Sequence, residues 1–324
     1  MINAFARTGF EVFVLNKIRN YFLRKELSSY LSKHQKHLTI DLKTRIESYT
    51  YIASIPNLWF SGLRGYRPGK DEILANRYLG ACTPVFDDLT DSGGYSFREV
   101  LNAIEDNKGN MNESLLLLRY FNEKINEKAK NPDLFRHYFE KTTEAQMMSI
   151  RQKDSSKLTH EEIRDITYKK GGYATLLFRS LLSNKPVANE EEAIYHLGAL
   201  LQMMNDLFDI YEDHKNGLQT LASVANDINP LKREYIDLID KTIILFRNLD
   251  YRPKRIRKTL YKIITVVSRG CVCLNQLLAL QGDKGNFNAG NFTRRDLICD
   301  MEKISNIRRS LAISKEIKRG QPPY

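Results

Sequence analysis

The stretch LGALLQMMNDLFDIYEDHKNG, residues 197–217, has the 3.6-residue period of an amphipathic helix. Its apolar stripe is centred on Met204 and is completed by Leu197, Leu200, Leu201, Phe208 and Tyr211. The opposite side carries Gln202, Asp206, Asp209 and Asp213, preceded along the same line by Ala199 and Tyr195. Because small and apolar residues occupy both sides at the N-terminal end, the pattern predicts a helix that separates a packed core from a cavity.

The same period continues along most of the chain, and the alternating apolar and polar runs that form strands are hard to find. Prolines fall between the periodic segments or at their first turns, at Pro56, Pro68, Pro132, Pro186, Pro230 and Pro253. The predicted helices cover residues 3–34, 38–65, 70–92, 95–128, 132–152, 159–183, 189–216, 231–250, 252–283 and 293–318. Short connections between long helices predict an all-α fold, built as one large antiparallel bundle.

The composition is that of a globular protein, with 42% hydrophobic and 27% charged residues in a chain of 324. No internal repeat or flexible linker divides it, so we expect a single domain over residues 1–324, with the helices of residues 1–65 as an accessory part. The four cysteines are too few and too scattered for a disulfide framework, and reduced thiols are expected.

Basic residues outnumber acidic ones by 50 to 39, which gives a net charge of +11 and favours an anionic partner. They are densest at residues 251–258 and around Arg294, Arg295, Arg308 and Arg309. No nucleic-acid motif surrounds them, so no nucleic-acid partner is expected. Neither a secretion signal nor an uninterrupted apolar stretch of about 18 residues is present. We therefore expect a cytoplasmic protein, and peripheral membrane contact through the basic surface stays open.

A second acidic segment, FDDLTD at residues 86–91, places Asp87, Asp88 and Asp91 on one face of a helix. Such a face is either solvated or holds a divalent cation, because like charges at this spacing repel. Two all-acid segments in a basic chain favour the cation. Oxygen ligands without His or Cys suit Mg²⁺ or Mn²⁺ rather than zinc.

These residues resemble motifs of the class I isoprenoid synthase superfamily, which includes terpene cyclases, prenyltransferases and squalene and phytoene synthases. FDDLTD has the form of the DDxxD motif, and NDLFDIYED is similar to the second metal motif of microbial terpene cyclases. Gln202, Asn205, Asp206 and Asp209 also fit the QxxDDxxD pattern of chain-elongating prenyltransferases. YKKGGYATLLF at residues 168–178 resembles the KTGG helix break, and Lys169 lies 36 residues before Asn205. The matches lie between residues 77 and 221.

The resemblance implies an isoprenoid synthase fold with a central cavity and a metal-binding core over about residues 70–283. It implies about three Mg²⁺ ions, held by Asp87, Asp88, Asp91, Asn205, Asp206, Asp209 and Asp213. It assigns diphosphate stabilisation and catalysis to Lys169, Lys170, Gly171, Gly172 and Arg98. Substrate contacts fall to Gln202, Tyr195, Arg164 and Lys215. Gly171 and Gly172 would break their helix and turn backbone dipoles towards the cavity, whereas a plain loop or close helix packing is the alternative interpretation of this pair.

The chain departs from the family motifs at two points that bear on which candidate activity it has. The basic segment and arginine pair that chain elongators carry around the first motif are missing, which favours a cyclase, while Asp209 stands where cyclases usually have Ser or Thr. We therefore expect an Mg²⁺-dependent terpene synthase that ionises an allylic prenyl diphosphate. The alternatives are a prenyltransferase joining isoprenoid diphosphates and a non-catalytic helical protein that binds a polyanion or membrane. A homodimer stays open. Without metal, mutual repulsion should raise the pKa of some of these carboxyl groups.

Overall fold

A computed structural model describes residues 16–91, 94–105, 111–153, 156–282 and 285–320. All regular structure within these residues is helical, which confirms the predicted all-α class. Residues 3–15 of the first predicted helix lie outside the described residues. The specific isoprenoid synthase fold stays a prediction, as does its central cavity.

Contacts between Cα atoms divide the chain into two compact units, which are described separately. Unit 1 comprises Met1–Ser61, Tyr66–Arg136 and Phe178–Asn184, and unit 2 comprises Gly62–Gly65, His137–Leu177 and Lys185–Tyr324. The boundary falls inside three helices, so no linker marks it. The single domain predicted over residues 1–324 stays a prediction.

Unit 1 is built on five helices. They are α1 (Asn16–Lys33), α2 (Ile40–Arg64), α3 (Lys70–Asp91), α4 (Phe97–Glu105) and α5 (Glu113–Lys128). Helix α5 packs against α3, α4 and α1, and its buried side chains include Leu117, Leu118 and Phe121. The stretch predicted as one helix over 95–128 forms two, because Asn112 starts α5 by accepting a hydrogen bond from the Leu115 amide at 2.9 Å.

Pro56 does not separate two helices but lies inside α2. A proline inside a helix removes one backbone hydrogen bond and disfavours the helix by about 3 kcal/mol. The next turn of α2 offsets that loss, because Trp59, Phe60 and Leu63 are all buried there. The placement of Pro56 between segments or at a first turn is therefore wrong, whereas the helix predicted over 38–65 does contain it.

Unit 2 contains most of the remaining helices. They are α6 (Pro132–Ser149), α7 (His160–Ser180), α8 (Glu190–Phe208), α9 (Ile210–Lys215), α10 (Ile228–Arg247), α11 (Pro253–Gln281), α12 (Arg294–Leu297) and α13 (Ile304–Lys318). Helices α8, α10 and α11 pack against one another, and α13 packs along α11. The predicted helices over 189–216 and 293–318 are each divided, the first at Asp209 and the second between α12 and α13.

Helix α11 is long and contains an apolar window of 18 residues. By length and mean hydropathy alone it could cross a membrane, although 56% of the qualifying window is buried inside the protein. A core helix of a soluble protein meets the same test, so the property does not distinguish the two situations.

A buried ion pair joins three distant segments of unit 2. Arg64 at the end of α2 lies 3.3 Å from the Glu190 carboxylate, and it also donates to the carbonyl of Lys185. Tyr251 donates to the same carboxylate at 2.6 Å, and Arg255 donates to the Arg64 carbonyl at 2.7 Å. The N-terminus of α8 is thereby tied to the end of α2 and to the start of α11.

Replacing the carboxylate in Glu190→Gln should lower the free energy of unfolding by about 3–5 kcal/mol, because the Arg64 charge would stay buried without its counter-charge. Urea unfolding measures the change. Glu144→Gln is the matched control, since Glu144 pairs with Lys141 at the surface of the same unit and should change stability by less than about 1 kcal/mol. Equal effects of the two variants would contradict the structural role given to the buried pair.

Candidate functional site

The site in unit 2 begins with the close approach of α7 to α8. A Cβ atom placed on Gly171 would collide with the Gly198 carbonyl oxygen and the Gln202 side chain. A Cβ on Gly198 would lie 2.7 Å from the Thr175 hydroxyl oxygen and would meet the Gly171 carbonyl. Only glycine at both positions allows the two backbones to approach this closely.

Helix α7 runs without interruption from His160 to Ser180. The predicted helix break at Gly171 and Gly172 is therefore wrong, and the alternative of close helix packing describes the pair. Gly172 lies against the ring of Tyr195, where a Cβ would have no room. A helix tolerates both glycines because the packing against α8 offsets their low helix propensity.

The acidic segment spans the junction of α8 and α9. Helix α8 ends at Phe208, Asp209 forms the joint, and α9 carries Asp213. Asp206, on the last turn of α8, is only 5% exposed, whereas Asn205 and Asp209 reach solvent. The predicted acidic stripe thus exists, but it turns at the joint instead of following one straight helix.

Neighbouring side chains orient the carboxylate of Asp206. Gln202 donates to its Oδ1 at 2.8 Å, and the hydroxyl of Thr167 on α7 donates to its Oδ2 at 3.4 Å. Thr167 lies one turn before Gly171, so the close approach of the two helices brings this hydroxyl within reach. Asp206 is held from both helices at once.

The two outer aspartates each have a polar partner. The Asn205 amide donates to Asp209 at 2.7 Å, and the Thr220 hydroxyl donates to Asp213 at 3.2 Å. Neither partner carries a positive charge. The segment therefore keeps its negative charge concentrated when all carboxyl groups are ionised.

Burial disfavours the ionised form of these aspartate carboxyl groups. Burial raises the pKa of Asp206 to about 6, although Gln202 and Lys170 favour the ionised form. Burial, ahead of the charges of Asp206 and Asp209, raises the pKa of Asp213 to about 7. Partial desolvation likewise raises the pKa of Asp209. Mutual repulsion contributes as expected from the sequence, but loss of solvent is the larger cause.

Two adjacent lysines of α7 behave differently. Lys170 lies close enough to Asp206, Asp209 and Asp213 to lower the pKa of each. Lys169 instead forms an ion pair with Asp165 one turn earlier at 2.7 Å. Of the two lysines, Lys170 is therefore the one whose positive charge acts on the acidic segment.

The remaining predicted site residues of unit 2 lie in different surroundings. Tyr195 packs edge-on against Tyr173 with ring centroids 5.3 Å apart. Arg164 lines a groove of about 480 Å³ together with Tyr168 and His196 of the same unit, and none of the predicted metal ligands lines that groove. Lys215 ends α9 and is exposed.

The first acidic segment and Arg98 belong to unit 1. Asp87 and Asp88 are half-buried on the last turns of α3, and Asp88 forms an ion pair with Arg45 of α2. Asp91 ends α3, and its side chain lies outside the described residues. Arg98 is exposed on α4. The prediction that the two acidic segments face each other across one cavity stays a prediction.

The cavity found in unit 1 is a different one. It encloses about 410 Å³ between α1 and α3 and is lined by residues that include Phe22, Arg77 and Tyr78. No predicted site residue contributes to it. Arg77 is buried there and donates to the side-chain oxygen of Asn20 at 2.6 Å.

Two hydroxyl residues of the site, Thr167 and Thr220, were not anticipated from the sequence. Thr167 lies three residues before Lys170, so helical spacing places both on one face of α7 and could have indicated it. Thr220 follows the turn at Gly217, and only the folded loop brings it to Asp213. No local pattern indicates the second residue.

The donor set has the chemistry of a magnesium site. Carboxylate and amide oxygens are the ligands that Mg²⁺ prefers, and a divalent cation would relieve the charge that burial disfavours. Among the described residues, however, no three His, Cys, Asp or Glu side chains converge closely enough to hold a metal ion. The segment supplies suitable donors that are not gathered into one ligand set here.

Comparisons with protein-family models, with curated proteins and with solved structures gave no match. Family membership is therefore not shown, and the superfamily resemblance rests on the quoted motifs.

Gly171→Ala should lower the free energy of unfolding by about 1–3 kcal/mol, because the new methyl group meets backbone and side-chain atoms of α8. Urea unfolding measures this change. Gly62→Ala is the control: Gly62 lies inside α2, and apart from the backbone of its own helix nothing lies within 4 Å of the added Cβ, so alanine should stabilise by up to about 1 kcal/mol. A stabilising Gly171→Ala would contradict the close approach.

Asp206→Asn should remove part of the pH dependence of stability. The folded-state pKa of about 6 exceeds the ordinary 3.8, so folding binds a proton more tightly, and the wild type should lose stability as the pH rises through about 6. In chelator at about pH 8 the variant should be more stable by about 1–3 kcal/mol, and the difference should vanish near pH 4. Glu161→Gln, at an exposed position on α7, should show neither effect. The midpoints of urea unfolding at both pH values test this expectation.

Proposed function

We propose that the protein is an Mg²⁺-dependent terpene synthase that ionises an allylic prenyl diphosphate, releases diphosphate and forms a terpene hydrocarbon or alcohol. The observation that carries the proposal is the acidic segment at the α8–α9 junction, whose three aspartates have raised pKa values and lie near Lys170. When no cation is bound, this acidic segment disfavours folding, so it has no evident structural purpose in a basic protein. A cation-binding role would explain why the chain carries it.

Asn205, Asp206, Asp209 and Asp213 would hold the cation in unit 2, and the resemblance adds Asp87, Asp88 and Asp91 of unit 1. Bound Mg²⁺ supplies Lewis-acid stabilisation of the negative charge that develops on a leaving diphosphate. Burial of Asp206 supports this role, because a desolvated carboxylate gains more from a nearby cation than an exposed one does.

The chain's own residues have separate tasks. Gln202 and Thr167 fix the Asp206 carboxylate, so that its orientation does not have to be set when substrate binds. Lys170 supplies a fixed positive charge beside the acidic segment, suited to a charge-assisted hydrogen bond with a diphosphate oxygen. Lys169 is held by Asp165 and is the weaker candidate of the two.

Tyr195 is the aromatic residue best placed for a cationic intermediate. It lies one turn before Gly198 on α8, half-buried against Gly172 and next to Tyr173. The face of such a ring stabilises a carbocation through a cation–π contact, and surrounding apolar groups exclude water that would quench it. We propose this role for Tyr195 from its position on α8 and from the chemistry of its aromatic ring.

A prenyltransferase is the second candidate. The hydrogen bond from Gln202 to Asp206 favours it, since this pair occupies the first and fifth positions of the QxxDDxxD pattern of chain-elongating enzymes. The two activities differ in whether a second isoprenoid diphosphate is consumed. A single assay can therefore separate them.

The test is to incubate the purified protein with Mg²⁺ and allylic diphosphates of ten to twenty-five carbons, with and without isopentenyl diphosphate, and to measure products and released diphosphate. A terpene without consumption of isopentenyl diphosphate supports the synthase. Longer linear diphosphates support the prenyltransferase. No turnover of any allylic diphosphate would contradict both.

Asn205→Ala combined with Asp209→Ala, or Asp87→Ala alone, should lower diphosphate release at least about a hundredfold, because the lost contacts act on the leaving group's developing charge. The melting temperature should stay the same or rise slightly, since removing one of several carboxylates that repel one another costs no stability. Glu161→Gln, an exposed acidic residue on α7, should keep the wild-type rate. Equal rates in all these variants would contradict the assignment.

A further inference from the structure

Helix α13 presents apolar side chains to solvent. Ile304 is 68% exposed, and Ile307 and Leu311 are each 43% exposed. Their spacing of three and four residues places them on one stripe of the helix. Exposed isoleucines that occur singly need no explanation, but a contiguous stripe along one helix marks an interaction surface.

The buried side of the same helix is partly polar, so the stripe is not a misplaced core face. Asn306, Ser310 and Ser314 are buried towards unit 2. Ser310 is hydrogen-bonded to Ser268 of α11 at 2.9 Å, and Asn306 donates to the Asp300 carbonyl at 2.8 Å. Helix α13 therefore docks on α11 in a fixed rotation that keeps its isoleucines outside.

Basic side chains flank the stripe along one edge. Arg308 and Lys315 follow Ile304 and Leu311 by one helical turn, and both are exposed. Glu316, the acidic residue within the helix, lies by helical spacing away from the stripe, and Glu302 is exposed in the turn before the helix. The stripe and its basic edge thus combine apolar and cationic groups.

We propose that this face of α13 docks on an anionic lipid surface. A bilayer rich in anionic lipids offers headgroup charges for Arg308 and Lys315, and an apolar boundary for the three aliphatic side chains. A nucleic acid would match the cations but not the stripe. A second copy of the helix would match the stripe but would bring like charges together. The inference is independent of the proposed enzymatic activity.

The experiment is vesicle flotation of the full chain with two compositions, phosphatidylcholine alone and equal parts of phosphatidylcholine and phosphatidylserine. The wild type should bind the anionic vesicles and lose binding as salt is raised. Ile307→Ser combined with Leu311→Ser should reduce binding about tenfold or more, because apolar burial is lost. Arg308→Gln combined with Lys315→Gln should reduce it by a similar factor on anionic vesicles.

Matched controls come from α10, where exposed Ile244 lies three residues from Lys241 and from Arg247 without a second exposed isoleucine on its stripe. Ile244→Ser and the pair Lys241→Gln with Arg247→Gln should keep wild-type binding. All variants lie at exposed positions, and unchanged circular dichroism melting confirms their folding. Equal binding to both vesicle types, equal loss in the α10 controls, or a dimer that the α13 variants dissociate in the absence of vesicle binding would each overturn the proposal.

Discussion

The contact between Gly171 and Gly198 is the constraint on which the candidate site depends. Two helices can approach this closely only where neither carries a side chain, and the glycines on α7 and α8 meet that condition reciprocally. The approach brings Thr167 to Asp206, and it places Lys170 beside the acidic segment. A larger residue at either position would separate the helices and remove both relationships together.

Unit 2 also shows how a protein can carry a charge cluster that opposes folding. The aspartates at the α8–α9 junction are desolvated and repel one another, so in the absence of a cation they destabilise the folded state. At the other end of α8, Glu190 receives Arg64 and Tyr251 in a buried network. The same helix is thus anchored at its N-terminus by a buried pair of opposite charges, and its C-terminal end carries like charges that repel one another.

The basic residues that give the chain its net charge of +11 also lie in different environments. Arg64 and Arg77 are buried and hydrogen-bonded, so they serve the packing of their own units. Lys170 faces the acidic segment, while Arg308 and Lys315 lie on an exposed helix beside apolar residues. Net charge predicts an anionic partner but cannot distinguish these environments, because solvation and neighbouring groups decide what each cation can bind.

The sequence by itself determined the helical class and most helix boundaries, because the 3.6-residue period and the proline positions are local properties. It also indicated the acidic segments, since their spacing is local too. It failed at Pro56 and at Gly171, where packing of distant segments outweighed local preference. Only the tertiary structure decided that Asp206 is buried, that Lys170 rather than Lys169 is the lysine beside the acidic segment, and that Thr220 reaches Asp213. These outcomes depend on which helices meet and how closely, and that is set by contacts between residues far apart in the chain.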